Sequence, residues 1–254
     1  MGLLEQMQAV DRLVRRPGDL ARLEASPPED RAVLGTIDAG RLEAVARSHA
    51  RQILGRWWQA RFPATLLALG DDAAREALAR ALVASPRFEQ ALEEDLLGTV
   101  IVHGLLDELE AGRAPGAAPW TRELLAYEYL LGVGLPRRAR GEPCDAGAEA
   151  RLLGEQVVFL AGGRLRCPVA VATFEHPVAA LREGLSPEEA DDPPEAVVFL
   201  IEPEGAVEAE APACVVDALE LLAQGAADAV LAQALDEEWR PLRSWLRDLG
   251  IVAH

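Results

Sequence analysis

The side chains best suited to chemistry are few and scattered in this sequence. Its four histidines stand at 49, 103, 176 and 254, and its three cysteines at 144, 167 and 214. No two of them fall at the short spacings through which a helix or turn delivers metal ligands, so neither a zinc site nor a disulfide framework is indicated. His49 and His103 lie in apolar helical segments and read as packed side chains, while His176 before Pro177 reads as a turn residue. Cys144 falls in a loop with nothing beside it to activate a thiolate. Nucleophile elbows, phosphate loops, dinucleotide fingerprints and zinc-protease helices are missing. Paired carboxylates abound, but among 42 acids such pairs are the expected background. No catalytic residue and no metal ligand is nominated, and no cofactor is expected in this chain.

Two places ask for more than packing. Residues 56–70, RWWQARFPATLLALG, set two tryptophans between arginines, which could stack bases, anchor a partner or fill a core. Trp57 fits the apolar stripe of its helix. Trp58 lies about 100 degrees further round, so it is the candidate partner contact, together with Arg61. Glu128 stands in the apolar run LLAYEYLL, and a buried carboxylate needs a partner. Arg56 is the candidate for that ion pair, with Arg61 as the other choice; alternatively Glu128 faces water.

Charge narrows the partners. The net charge is −17, every basic side chain is arginine, and between residues 171 and 238 only Arg182 opposes 17 acids. Nucleic-acid binding neutralises phosphates with cations, so the C-terminal half is a poor nucleic-acid surface and a base-stacking platform at the tryptophans loses support. No apolar run reaches the roughly 20 residues that span a bilayer. A cytoplasmic protein without membrane or nucleic-acid partners is expected.

The elements that would position these residues fall into two groups. Helical periodicity runs over 2–16 and, after a loop at 25–31, from an Asp38 cap to Trp58. Pro63 then starts a short helix stopped by Gly70. Ser85-Pro86 opens another, an apolar segment runs from Phe88 to Leu109, and WTRELLAYEYLLG follows the loop 112–119. The Gly/Pro-rich stretch 141–150 is expected to link an all-helical domain over 1–140 to a smaller α+β domain over 151–254. There EQVVFLAGGRLRC and PVAVATF read as strands, PVAALREG as a short helix, and AVVFLIE with AVEAE as a hairpin. The segments 212–225 and 226–250 close the chain as helices with a Gln-Gly turn between them, a winged-helix-like arrangement.

An ordered set of short motifs runs through residues 30–238. Trp57-Trp58 ends a helix ahead of Phe62-Pro63 and the run from Leu66 to Gly70, and Ser85-Pro86 opens the next. Pro119 is followed by Leu124 and Glu128, the latter flanked by Tyr127 and Tyr129. Phe174-Glu175-His176-Pro177-Val178, then AVVFLI, PEGAVEA and LELLAQGAADAVLAQAL, complete the set. It resembles the family that carries a DNA-binding-domain label and includes partner proteins of multinuclear non-haem iron oxidative enzymes. Those enzymes modify ribosomally made peptides, as in methanobactin biosynthesis. Leu125 replaces the family's usual alanine, the tryptophan pair replaces its usual tyrosine, and the tail 237–254 has no counterpart.

The resemblance implies a non-catalytic adaptor in peptide natural-product biosynthesis, whose C-terminal domain is peptide-recognition-like. It would form a heterodimer with a multinuclear non-haem iron oxidase, whose iron lies in the partner enzyme, and would bind the ribosomal precursor peptide. Leader recognition would be by strand addition to a sheet edge. The candidate edge residues are Val197, Val198, Phe199, Leu200 and Ile201 on one strand and Val207 and Glu208 on the next, where acids could select a basic leader. The alternative is a DNA-binding transcription regulator with a winged-helix C-terminal domain. Against it, the recognition helix AADAVLAQALDEE offers only Gln233 for base edges. An enzyme with an unidentified nucleophile is the third reading.

Overall fold

The computed structural model describes residues 97–114, 116–202, 205–253 and 58–70, with positions 28, 32, 41, 44, 48, 52, 55, 56, 72, 73, 75, 76 and 79. The helix expected over 2–16, Trp57 and the Ser85-Pro86 start lie outside these residues. Contacts divide the chain into two compact units, Met1–Thr121 and Arg122–His254. The class is α+β, helices with one four-stranded antiparallel sheet.

In the first unit, residues 58–61 are helical and the Phe62 N–H donates to the Trp58 carbonyl at 2.7 Å. Phe62 itself leaves the helical region (φ −133°, ψ 47°), as a residue before proline is pressed to do. Pro63 then occupies the first position of α1 (Pro63–Ala68), and Gly70 at φ +86° ends it, as the sequence suggests. Pro28 is helical and so departs from the loop expected over 25–31. Helix α2 (Leu97–Glu110) buries Val100, Ile101, Val102, Leu105 and Leu106. Arg113 closes its end by forking onto the buried Glu108 carboxylate at 2.9 and 2.8 Å.

The second unit starts earlier than the expected linker at 141–150. Helix α3 (Thr121–Tyr129) runs through a π-helical turn (Leu130–Gly134) into α4 (Leu135–Ala139). The wide turn has a physical reason, since the Pro136 ring would otherwise press on the carbonyl one α-turn back. Only a short loop separates α4 from α5 (Ala146–Leu153), where Asp145 caps two N–H groups at 3.0 Å each. The stretch expected as an interdomain linker is thus an internal turn of this unit.

Strands β1 (Val157–Leu160), β2 (Val169–Ala172), β3 (Ala196–Glu202) and β4 (Gly205–Ala211) lie in sequence order, each antiparallel to the next. Helix α6 (Val178–Arg182) joins β2 to β3. Register places Leu160, Val169, Leu200 and Val207 in one row across the sheet, and Phe159, Ala170, Phe199 and Glu208 in the neighbouring row. Because side chains alternate along a strand, the two rows face opposite ways. The first face packs on α7 (Val215–Ala223), α8 (Asp228–Leu235) and α9 (Trp239–Asp248), in a core that includes Val171, Val198, Leu219, Leu231 and Leu246. Tyr127 of α3 stands edge-on to Phe199 on the second face, with ring centroids 5.6 Å apart.

The last helices are not continuous. Asp236 takes φ +46° after Leu235, and a short turn leads into α9. The tail that matches no family motif is core: Trp239, Leu242, Leu246, Ile251 and Val252 are all buried. Val252 bridges to Leu165, and Arg166 donates to the Ile251 carbonyl at 2.8 Å. The first expected strand therefore ends at Leu160, and its second half turns through Gly162-Gly163 to meet the tail. Asp228 ties three segments together, 2.7 Å from Arg164 and 2.5 Å from Arg243.

Two expectations follow. Gly162 and Gly163 both have positive φ, but a Cβ on Gly163 would lie 2.3 Å from the Leu222 and Ala223 carbonyl oxygens, whereas one on Gly162 would meet nothing. In thermal or urea denaturation, Gly162→Ala should cost about 1–2 kcal/mol, and Gly163→Ala about 2 kcal/mol more through displaced backbone. The Arg164 guanidinium holds the Asp228 carboxyl below its ordinary value, helped by Arg243 and Arg247. A depressed folded value adds stability above the unfolded value that is lost as pH falls. Asp228→Asn should therefore lower stability at neutral pH and flatten its decline below about pH 4. Added salt should shrink the difference, because the group is partly exposed.

Candidate functional site

Backbone pairing decides which strand could accept another. β3 is hydrogen-bonded on both sides, to β2 and to β4. Val197, Val198, Phe199, Leu200 and Ile201 are therefore interior, and the expectation that they form an accessible edge is corrected. The reason is that both faces of β3 are covered, which demands apolar residues at successive positions. The edges are β1 and β4, and Val207 and Glu208 do lie on one of them. Among the described residues, no main-chain hydrogen bond from β4 is found beyond its ladder with β3.

Polar groups brace the sheet from its second face. The Tyr127 ring is fully buried and meets Phe174 and Phe199 edge-on, at 5.9 and 5.6 Å. Its hydroxyl donates to the Glu208 carboxylate, so the one buried polar atom of the ring is satisfied on the edge strand. Burial, reinforced by Glu208, pushes the phenol well above its ordinary value and keeps it protonated as a donor. The Arg182 guanidinium lies 5.8 Å from the same ring's centroid. Nearby, Glu123 on α3 receives the His176 N–H at 3.0 Å and faces His176 Nδ1 at 3.1 Å, fixing the connection from β2 to α6.

A second network supports β1. Arg138 on α4 forks onto Glu149 of α5 at 2.6 and 2.7 Å and stacks over the Phe159 ring at 3.7 Å. The Tyr129 hydroxyl donates to the same carboxylate at 3.0 Å. Cys144 is half-buried, its thiol directed at the Gly134 carbonyl at 3.9 Å. Burial raises its pKa, as it does for Cys167. Cys214 is pushed up to about 11 by burial and Glu238. None of the three is set up as a thiolate nucleophile. Among the described residues, no group of three or more histidines, cysteines and acids is placed to hold a metal ion.

Trp58 is the other correction. It is 3% exposed, so it cannot be the free partner contact that its position beside Trp57 suggested. Phe62, four residues on and therefore on the same helix face, is buried too. The informative phase was that of Trp58 with Phe62. Glu128 is 2% exposed, so the alternative that it faces water does not hold, while Arg56 and Arg61 are exposed. The sequence reading missed Leu67, 71% exposed on α1, and missed the Tyr127–Glu208 bond altogether. Leu67 follows the apolar pattern of its neighbours and gave no signal. The acid–apolar alternation of AVEAE is the signal that could have told the edge strand from β3.

The brace on β4 can be measured. Tyr127→Phe and Glu208→Gln should each destabilise the chain by about 1 kcal/mol, below the full value of a charged hydrogen bond because Glu208 is exposed. In a double-mutant cycle read by urea unfolding, the two losses should fail to add. Additive losses would show that the bond does not hold the strand.

No family model matches the chain, and no curated protein or solved structure matches it.

Proposed function

We propose that the chain is a non-catalytic partner protein that presents a ribosomally made precursor peptide to a multinuclear non-haem iron oxidase. The observation that carries this reading is the edge of β4, which no other strand among the described residues shares, on a sheet covered on both faces. An extended leader would add to that edge, with main-chain hydrogen bonds for affinity and side chains for choice. The resemblance of the ordered motifs to oxidase partner proteins supplies the identity of the peptide and the enzyme. The sheet with α7, the Gly225 turn and α8 behind it supports a winged-helix-like, peptide-recognition arrangement for this unit. Any iron belongs to the oxidase, and the place of action is the cytoplasm, where precursor peptides are made. On the side of the oxidase, the exposed Arg61 keeps its contact role, and the exposed Leu67 stands in for the buried Trp58.

Magnitudes limit what the backbone can do. A seven-residue edge presents outward groups on about half its positions, and each hydrogen bond is worth about 1 kcal/mol net. A micromolar complex needs about 8 kcal/mol, so side chains must contribute the larger part. The DNA-reading alternative draws no support from α8. Its exposed positions Ala229, Val230, Ala232, Gln233 and Ala234 carry no cation, and Asp236, Glu237 and Glu238 follow.

The test is titration calorimetry of the full chain with the precursor peptide encoded beside it, with and without the neighbouring oxidase. Binding is expected at micromolar affinity, and it should be lost on removing the leader. A precursor that binds neither the chain alone nor the chain with the oxidase defeats the reading. A salt-sensitive shift of duplex DNA would favour the regulator instead.

A further inference from the structure

The two edges of the sheet differ in length and in charge. β1 offers four residues, and the cation Arg138 lies over its Phe159. β4 offers seven, and the side chains on its second face include Glu208 and Glu210, two residues apart and both exposed. Val207, Ala209 and Ala211 face the opposite way, paired with Leu200, Val198 and Ala196 of the core face. Beyond the Ala211 end, Glu195 receives the Ala213 N–H at 2.8 Å, and Glu238 lies beside Cys214. Across residues 171–238 the sole cation is Arg182, and it stands by the Tyr127 ring, whose hydroxyl holds Glu208 at the middle of the strand. Glu208 is already held by the Tyr127 hydroxyl.

A strand added to β4 would set its side chains directly beside those of β4, within about 5 Å on each face. Like charges there repel and opposite charges attract. From this we infer that the β4 edge takes an extended peptide with basic residues at alternate positions, one of them opposite Glu210, and small apolar residues between. The inference rests on the strand-addition reading and specifies its substrate class. Composition alone is not enough: lysines in a block would place half their charges over Val207, Ala209 and Ala211. The β1 strand, Val157–Leu160, carries no carboxylate to attract the same peptide, and the Arg138 over it is already paired with Glu149. Glu210 is the selecting residue, because Glu208 is engaged by Tyr127 and has Arg182 nearby.

The experiment uses the full chain and three fluorescein-labelled synthetic peptides: lysine alternating with valine, the same residues with the lysines in a block, and glutamate alternating with valine. Anisotropy at low and moderate salt gives the affinities, and hydrogen exchange of residues 205–211 gives the place. The alternating lysine peptide should bind about tenfold more tightly than the blocked one and slow exchange in β4. Glu210→Gln should weaken it severalfold, and Glu210→Arg should turn the preference towards the glutamate peptide. Exchange of the β3 amides in the variants confirms that the sheet is intact. Equal binding of both lysine peptides, or indifference to Glu210→Arg, overturns the inference. If the natural precursor protects β4 but ignores Glu210 and salt, this inference fails while strand addition stands. If the alternating lysine peptide protects β4 and the precursor does not, the inference stands and the proposed function fails.

Discussion

The second unit depends on a sheet that is covered on both faces. Helices α7, α8 and α9 take one side, while Tyr127 and Arg138 meet the other. A strand in the middle of such a sheet has no wet side, so β2 and β3 must be apolar throughout, as VAVA and AVVFLI are. Polarity is thereby displaced to the edge, where GAVEAEA alternates. Charged positions of β4, the buried phenol that holds one of them and the open main chain are three results of one packing constraint.

Much of this was legible in the residues. Pro63 and Gly70 bracket α1, the hairpin of β3 and β4 falls where apolar runs flank a Pro-Glu-Gly turn, and α6 follows His176-Pro177. The choice between β3 and β4 as an edge was missed, although continuous and alternating strands carry different patterns. What local pattern could not supply was the partner of each face. Helix α3 reads equally well as part of a helical domain or as cover for a sheet, since an apolar stripe does not say what lies against it. The tail was opaque for the same reason, and only the assembled core makes sense of Trp239, Leu246 and Val252.

The candidate site was harder to read than the fold. Trp58 drew attention as an aromatic beside arginines, yet its burial with Phe62 makes it scaffold. Tyr127 and Glu208 are 81 positions apart, so no spacing rule could join them. The buried polar groups are spent on bracing: Glu123 on His176, Glu149 on Arg138 and Tyr129, Glu108 on Arg113. Each carboxylate, held by two or more donors, fixes a junction between elements.

The bridge between Leu165 and Val252 also sets an order of events during synthesis. A domain completes its core only when every core residue has emerged from the ribosome, and here Ile251 and Val252 belong to that core. The sheet must therefore wait, with β3 and β4 already synthesised, for more than forty further residues to be translated. During that interval β4 is an unguarded template for neighbouring nascent chains. Its two exposed glutamates then repel identical strands on other copies, so the charges that would choose a partner in the finished protein also keep its unfinished copies apart.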